Sequence, residues 1–117
     1  MARIITKPIV AIFCDASIGD VCFSRFIRPD HCAQIIGDGN ECVAQWAKAN
    51  KIDYIDYKPN YKVFQEHAIS ARNKDMIDSV DFVIAFWDNK GADIPQALRY
   101  AATINRPYLC HSIIDLK

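Results

Sequence analysis

Several features that would assign a function at once are missing from this 117-residue chain. No apolar run reaches the roughly 20 residues that a membrane-spanning helix needs, so no membrane partner is expected. The opening Met1 to Lys7 segment is too short and too mixed for a secretory signal. Fourteen Lys plus Arg balance fourteen Asp plus Glu. Without a basic cluster, a general nucleic-acid binder is not expected. The cysteines (Cys14, Cys22, Cys32, Cys42 and Cys110) contain no CxxC pair. Their odd number reads as reduced thiols of a cytoplasmic protein, not a disulfide framework. His31, His67 and His111 lie far apart without HxxxH or HExxH spacing, so no metal site is expected. Repeats, linkers and low-complexity stretches are also missing. One domain over residues 1–117 is the expectation.

What is present is a hydrophobic half of the chain, enough for a sizeable core, and one organising stretch, Val80 to Asp93. Phe82 to Trp87 is a short β-branched and aromatic run, as in a strand buried on both faces. Asp88, Asn89, Lys90 and Gly91 form a turn cluster in which Gly91 can take φ > 0. Asp93 is placed to cap a helix, and Pro95 is tolerated in its first turn. Ile94, Ala97, Leu98, Ala101 and Ala102 then share one helical face.

Taken in order, Pro8 to Cys14 is the first strand. The loop Asp15-Ala16-Ser17-Ile18-Gly19-Asp20 either holds an anion or a sugar hydroxyl, or simply caps the next element. Val21 to Ile27 reads as a two-turn helix ended by Pro29-Asp30. Cys32 to Ile36 is the second strand, closed by Gly37-Asp38-Gly39-Asn40, and Val43, Trp46 and Ala47 give helical spacing to about Asn50. Asp38 and Glu41 would repel phosphate there, so sugar hydroxyls or a base suit that turn better. The plainer alternative has Asn40 capping the helix and Gly37 making the turn. Ile52 to Tyr57 alternates as an edge strand does. A helical turn within Val63 to Ile69, a helix over Ala68 to Ser79 and a last strand over Tyr108 to Ile114 complete the chain. Cys14 and Cys110 are not expected to be nucleophiles.

Strands alternating with helices at this spacing predict an α/β fold. It is a Rossmann-like open parallel sheet of about five strands in order 3-2-1-4-5, with helices on both faces. The crevice between strands one and four is then the switch point where ligands bind.

The Gly-Asp-x-Asn turn after strand two resembles a feature of the SLOG superfamily. So do Arg72, Asn73 and Met76 on one helix, and Ile-x-Phe-Trp-Asp-x-Lys before the last helix. That superfamily includes small YspA-like proteins and is related to the DprA and LOG proteins. The similarity spans Ile9 to about Pro107 and is best over Ala71 to Lys90. It implies binding of a nucleotide or NAD-derived molecule, with no cofactor. By position it implies ligand contacts from Arg72 and Asn73. Gly37, Asp38, Gly39 and Asn40 would form the first glycine turn, and Trp87, Asp88, Gly91, Ala92 and Asp93 the second. Cys14, Asp15 and Ser17 stand where the family often has Gly-Ser-Arg. Gly91-Ala92 replaces its Gly-Thr, and the Pro-Gly-Gly-x-Gly-Thr segment of LOG enzymes is missing. Arg72 otherwise reads as a solvated helix residue pairing with Asp75 or Asp78, and Trp87 as core.

The expected function is therefore a sensor or sequestering module for a nucleotide-derived small molecule such as ADP-ribose. By analogy of size and family it would be a bacterial or phage protein. The alternative is a nucleoside-phosphate glycosidase or transferase, with Asp15, Asp38, Asp88 and Asp93 as candidate carboxylates. A third possibility is an interaction protein with a dead crevice. The resemblance also implies a homodimer or higher homo-oligomer, for which Ala97 to Ile104 offers a surface of small and apolar residues.

Overall fold

Ile9–Cys14 forms β1, and every residue after Ile9 in it is buried. It is the central strand of a five-stranded sheet, described here in a computed structural model covering residues 7–19 and 21–112. Gln34–Gly37 is β2, Asp53–Asp56 β3, Phe82–Trp87 β4 and Tyr108–Ser112 β5. All neighbours run parallel, in the order β3-β2-β1-β4-β5 that the strand spacing predicts. β4 lies directly beside β1, from Val10 against Phe82 to Cys14 against Phe86. Burial on both faces explains why β1 and β4 read as continuous apolar runs.

Alternation along the strands sends side chains into two cores. On one face Val10, Ile12, Ile35, Ile84 and Phe86 pack with Val43 and Ala47. The last two belong to α1 (Glu41–Ala49). On the other face Ala11, Phe13, Val83 and Ala85 pack with Met76 and Ile77 of α3 (Ala68–Asp78) and with Ile94, Ala97 and Ala101 of α4 (Asp93–Thr103). Asn40 caps α1, its Oδ1 accepting from the N–H groups of Cys42 and Val43 at 2.9 and 3.2 Å. A one-turn α2 (Tyr61–Phe64) precedes α3. It is joined through a 3-10 turn whose first residue, Gln65, has φ 49°.

Four expectations are corrected. Val21 to Ile27 is not a helix. The β1–β2 connection runs through short 3-10 turns at Ala16–Ile18, Phe23–Arg25 and Pro29–His31. Cys22, before Phe23, provides no side-chain cap, and Pro29 closes the segment after little more than one turn, too short to offset helix nucleation. Asp93 is the first residue of α4 and does not cap it; Ala92 holds the cap position without a side-chain bond. An acidic first turn still favours the helix dipole. The positive φ of the β4–α4 loop belongs to Asn89, at 67°, and not to Gly91. Ala97 and Ala101, offered as an oligomer surface, lie inside the core, although Ala102 is exposed. Strand β5 is followed here to Ser112; Ile113 and Ile114 lie outside the described residues.

Candidate functional site

The loops after β1, β2 and β4 meet at the C-terminal edge of the sheet, beside the point where the strand order reverses. Cys14 ends β1, and its main chain is held from the β2 side. Its N–H donates to Asp38 Oδ2 at 3.1 Å, and its carbonyl accepts from Asn40 Nδ2 at 3.2 Å. Asp38 Oδ1 also accepts from the Asn40 N–H at 3.3 Å. The same carboxylate therefore shapes its own turn and ties that turn to β1. Gly39 supplies the bend, with φ 93° and open space where a Cβ would stand.

Arg72 reaches under this turn from α3. Its Nη1 donates to the carbonyls of Asp38 and Tyr57 at 3.0 and 3.1 Å, bracing the ends of β2 and β3. Its Nε donates to Asn73 Oδ1 at 2.7 Å. Nη2 is the guanidinium nitrogen left without a hydrogen bond among the described residues. The alternative reading, a pairing with Asp75 or Asp78, is not found among the described residues. Asn73 is buried and lines a cleft of about 10 Å³ between α3 and α4, room for about one water. It orients Arg72 and lies back from the crevice mouth.

The β4 side is a second network. Asp15 N–H donates to the Phe86 carbonyl, and Asp15 Oδ2 accepts from Asp88 N–H at 2.9 Å. Ser17 Oγ donates to Asp88 Oδ2 at 2.5 Å, and Asp88 Oδ1 accepts from the N–H groups of Lys90 and Gly91 at 2.9 and 3.1 Å. Trp87 is half-buried against the α3–α4 core, and its indole N–H donates to the Gly91 carbonyl at 2.9 Å. The Gly91 N–H is thus engaged within the loop. Ala92 and Asp93 are exposed at the start of α4, and no hydrogen bond joins their side chains to either network.

Three carboxylates sit in this small region against one guanidinium. Burial lifts Asp38 above the ordinary carboxylate value of 3.8; the Cys14 N–H, the Arg72 charge and the Asn40 N–H pull it down without cancelling that rise. Burial also lifts Asp15. The Asp88 N–H opposes this, and the Asp88 and Asp38 charges add to it. Asp88 is held down to about 2 by the Ser17 hydroxyl and by the N–H groups of Lys90 and Gly91. Cys14 is pushed up to about 12, by burial first and then by the charges of Asp38 and Asp15. It is a protonated thiol at neutral pH, unsuited to nucleophilic attack.

Cys14, Asp15, Ser17, Asp38, Asn40, Arg72 and Asp88 are therefore brought together. Gly37 is buried in β2 and acts through space, not through a turn: a Cβ there would stand 2.1 Å from Tyr54 Oη. The carbonyl of Tyr57 was missed because a main-chain acceptor leaves no mark in sequence. Also missed was a hollow of about 330 Å³ between the β1–β2 connection and α1, lined by Cys22, Phe23, Ser24, Cys42, Gln45 and Trp46. Trp46 Nε1 donates to Ser24 Oγ at 3.0 Å across it. Among the described residues no cluster of His, Cys, Asp and Glu could hold a metal, and no helix is long and apolar enough to cross a membrane.

Compared with protein-family models, curated proteins and solved structures, the chain shows no match.

Proposed function

We propose that the crevice between β1 and β4 binds a nucleotide or NAD-derived small molecule, such as ADP-ribose, as a sensor or sequestering module without turnover. The observation that carries this reading is the convergence of Asp15 and Asp38 on the switch point, each with acceptor capacity beyond the N–H groups it already holds. Carboxylates in that position welcome the hydroxyl donors of a ribose and repel phosphate. Phosphate contacts then fall to Arg72 Nη2 and to the first-turn N–H groups of α4. Resemblance to the SLOG superfamily supports the same ligand class by analogy only.

One observation favours the glycosidase alternative. Asp15 and Asp88 are joined by a hydrogen bond, yet their environments push their proton affinities apart, as in acid and base pairs of hydrolases. Against it, both Asp88 oxygens are already occupied by Ser17 and by two N–H groups. Incubation with AMP, NAD and cyclic ADP-ribose, read by native mass spectrometry and by assay of released base, separates the two. A retained intact ligand supports the binding module. Released base at many turnovers per chain supports the enzyme.

A further inference from the structure

One helical turn of this fold, α2, buries none of its side chains. It is nonetheless well formed. Asn60 Oδ1 accepts from Val63 N–H at 3.3 Å, and the Asn60 carbonyl accepts from Phe64 N–H at 3.0 Å. Every residue from Asn60 to His67 is exposed. Tyr61, Val63 and Phe64 are 59, 66 and 44% exposed, three large apolar side chains within one turn. Apolar area left in water contributes nothing to folding, so this turn is not there for the core. It also ends on strain. Gln65 has φ 49° and ψ −120°, a conformation open to glycine and costly for a residue with a Cβ. Strain of this kind gathers at ligand clamps and switch segments.

We infer that α2 is a strap that closes over the crevice and lays the Tyr61 or Phe64 ring on the base of a bound nucleotide. This rests on the reading of the crevice as a nucleotide site. Both ends of the strap are fixed at the crevice rim. Arg72 Nη1 holds the Tyr57 carbonyl at 3.1 Å with the same nitrogen that holds the Asp38 carbonyl. At the other end Ala68, the first residue of α3, is buried. Among the described residues, 58–64 form hydrogen bonds only with one another and with Gln65. Movement of the strap therefore breaks no hydrogen bond to the rest of the fold.

The reach is sufficient. Neighbouring strands lie about 4.8 Å apart, which places the β1–β4 crevice about 12 Å from β3. Lys58 to Tyr61 spans about 13 Å when extended. Chemistry selects the base as what the strap covers. Asp15 and Asp38 take the ribose, so the base beside it is the planar, apolar part of the ligand. The aromatic rings at the strand ends are already committed: Phe86 is buried, Trp87 packs on the α3–α4 core, and Tyr54 covers Gly37. Tyr61 and Phe64 are free to stack, and an aromatic ring stacks on any base. Closure gives both a partner and lets Gln65 leave its strained conformation, so ligand and closed strap favour each other.

The test is calorimetry of the full chain with AMP and ADP-ribose, and with ribose 5-phosphate as the ligand that lacks a base. Tyr61→Ala and Phe64→Ala alter exposed side chains and should leave the melting temperature unchanged. One or both should weaken the tighter of the two nucleotides about fivefold or more, with ribose 5-phosphate bound as before. Gln65→Gly relieves the open form alone and should weaken the nucleotide too. Trypsin should cut the native chain after Lys62, and the nucleotide should slow that cut. If both alanine variants bind the nucleotide as the wild type does, the strap is overturned and the nucleotide site stands. An equal loss of affinity for ribose 5-phosphate also overturns the strap. A wild-type chain that binds neither nucleotide overturns the site and the strap together. A dimer at micromolar concentration that Tyr61→Ala dissociates shows that a second copy covers α2, and overturns the strap.

Discussion

Gly37 and Tyr54 are locked together across adjacent strands. The tyrosine ring lies over the glycine so closely that a Cβ on Gly37 would meet Oη at 2.1 Å and Cζ at 2.6 Å. The phenol hydroxyl is in turn bonded to Asp56. Gly37→Ala should therefore cost about 1–3 kcal/mol, the scale of overpacking. Tyr54→Phe should not rescue it, because the ring carbons clash as well as the oxygen. Tyr54→Val should recover most of the loss. Urea unfolding of the single and double variants measures this; additive losses would show that the two residues do not touch.

Arg72 and Asp38 should prove structural as well as ligand-binding. Arg72→Ala removes the brace between the Asp38 and Tyr57 carbonyls and should lower stability by about 1.5–3 kcal/mol, as for hydrogen bonds to a charged group. Arg72→Lys should restore little, since an ammonium cannot reproduce the planar fork. Asp38→Asn should also destabilise, by about 1–3 kcal/mol. Its amide can accept from only one of the two N–H groups that the carboxylate now holds and sets N–H₂ against the other. Thermal melts without ligand decide this; unchanged midpoints in both variants would contradict it.

The strand order was legible because β1 and β4 are buried on both faces and show it as apolar runs, while Gly-containing turns separate the elements. The helix expected at Val21 to Ile27 was not. Phe23, Phe26 and Ile27 have helical spacing, but spacing reports which side chains face the core and not how many turns precede Pro29. Within the site, Asn40 was legible as a cap because its chemistry is local. Gly37 was misread as a turn residue, since the ring that demands it comes from Tyr54, on another strand. The inward use of Arg72 was hidden for a related reason: its partners are carbonyls from β2 and β3, and only the fold brings them to α3.

The carboxylates should titrate in an inverted order. Asp15 and Asp38 have folded-state values raised above 3.8, whereas Asp88 is held near 2. Just above the ordinary value the folded chain binds protons at Asp15 and Asp38 that the unfolded chain does not. Acidification through that window stabilises the fold as far as those two groups are concerned. Asp88 contributes with the opposite sign: its stabilisation is present above 3.8 and is lost as pH falls toward 2. Ligand affinity should thus fall with acid before the fold fails. Carbon-detected NMR titration of the side-chain carboxyls checks the order; Asp88 titrating above Asp15 would contradict it.

Thiol reactivity should follow burial. Cys22 is exposed, whereas Cys14 and Cys32 are buried and raised in pKa. Iodoacetamide at neutral pH should modify Cys22 in the native protein and reach Cys14 only on unfolding. Cys14→Ser should keep ligand affinity within a few-fold. Rapid native labelling of Cys14, found by peptide mass spectrometry, would show the end of β1 to be open and reactive.

The central claim is that carboxylates at the switch point read ribose hydroxyls, and calorimetry tests it most directly. AMP and its 2′,3′-dideoxy counterpart carry the same base and phosphate and differ only in the hydroxyls. Hydrogen bonds to charged acceptors contribute about 1.5–3 kcal/mol, so the ribonucleotide should bind roughly tenfold or more tighter. Asp15→Asn should narrow that gap without reversing it. Equal affinity for the two ligands, or tighter binding of the dideoxy compound, would contradict the account.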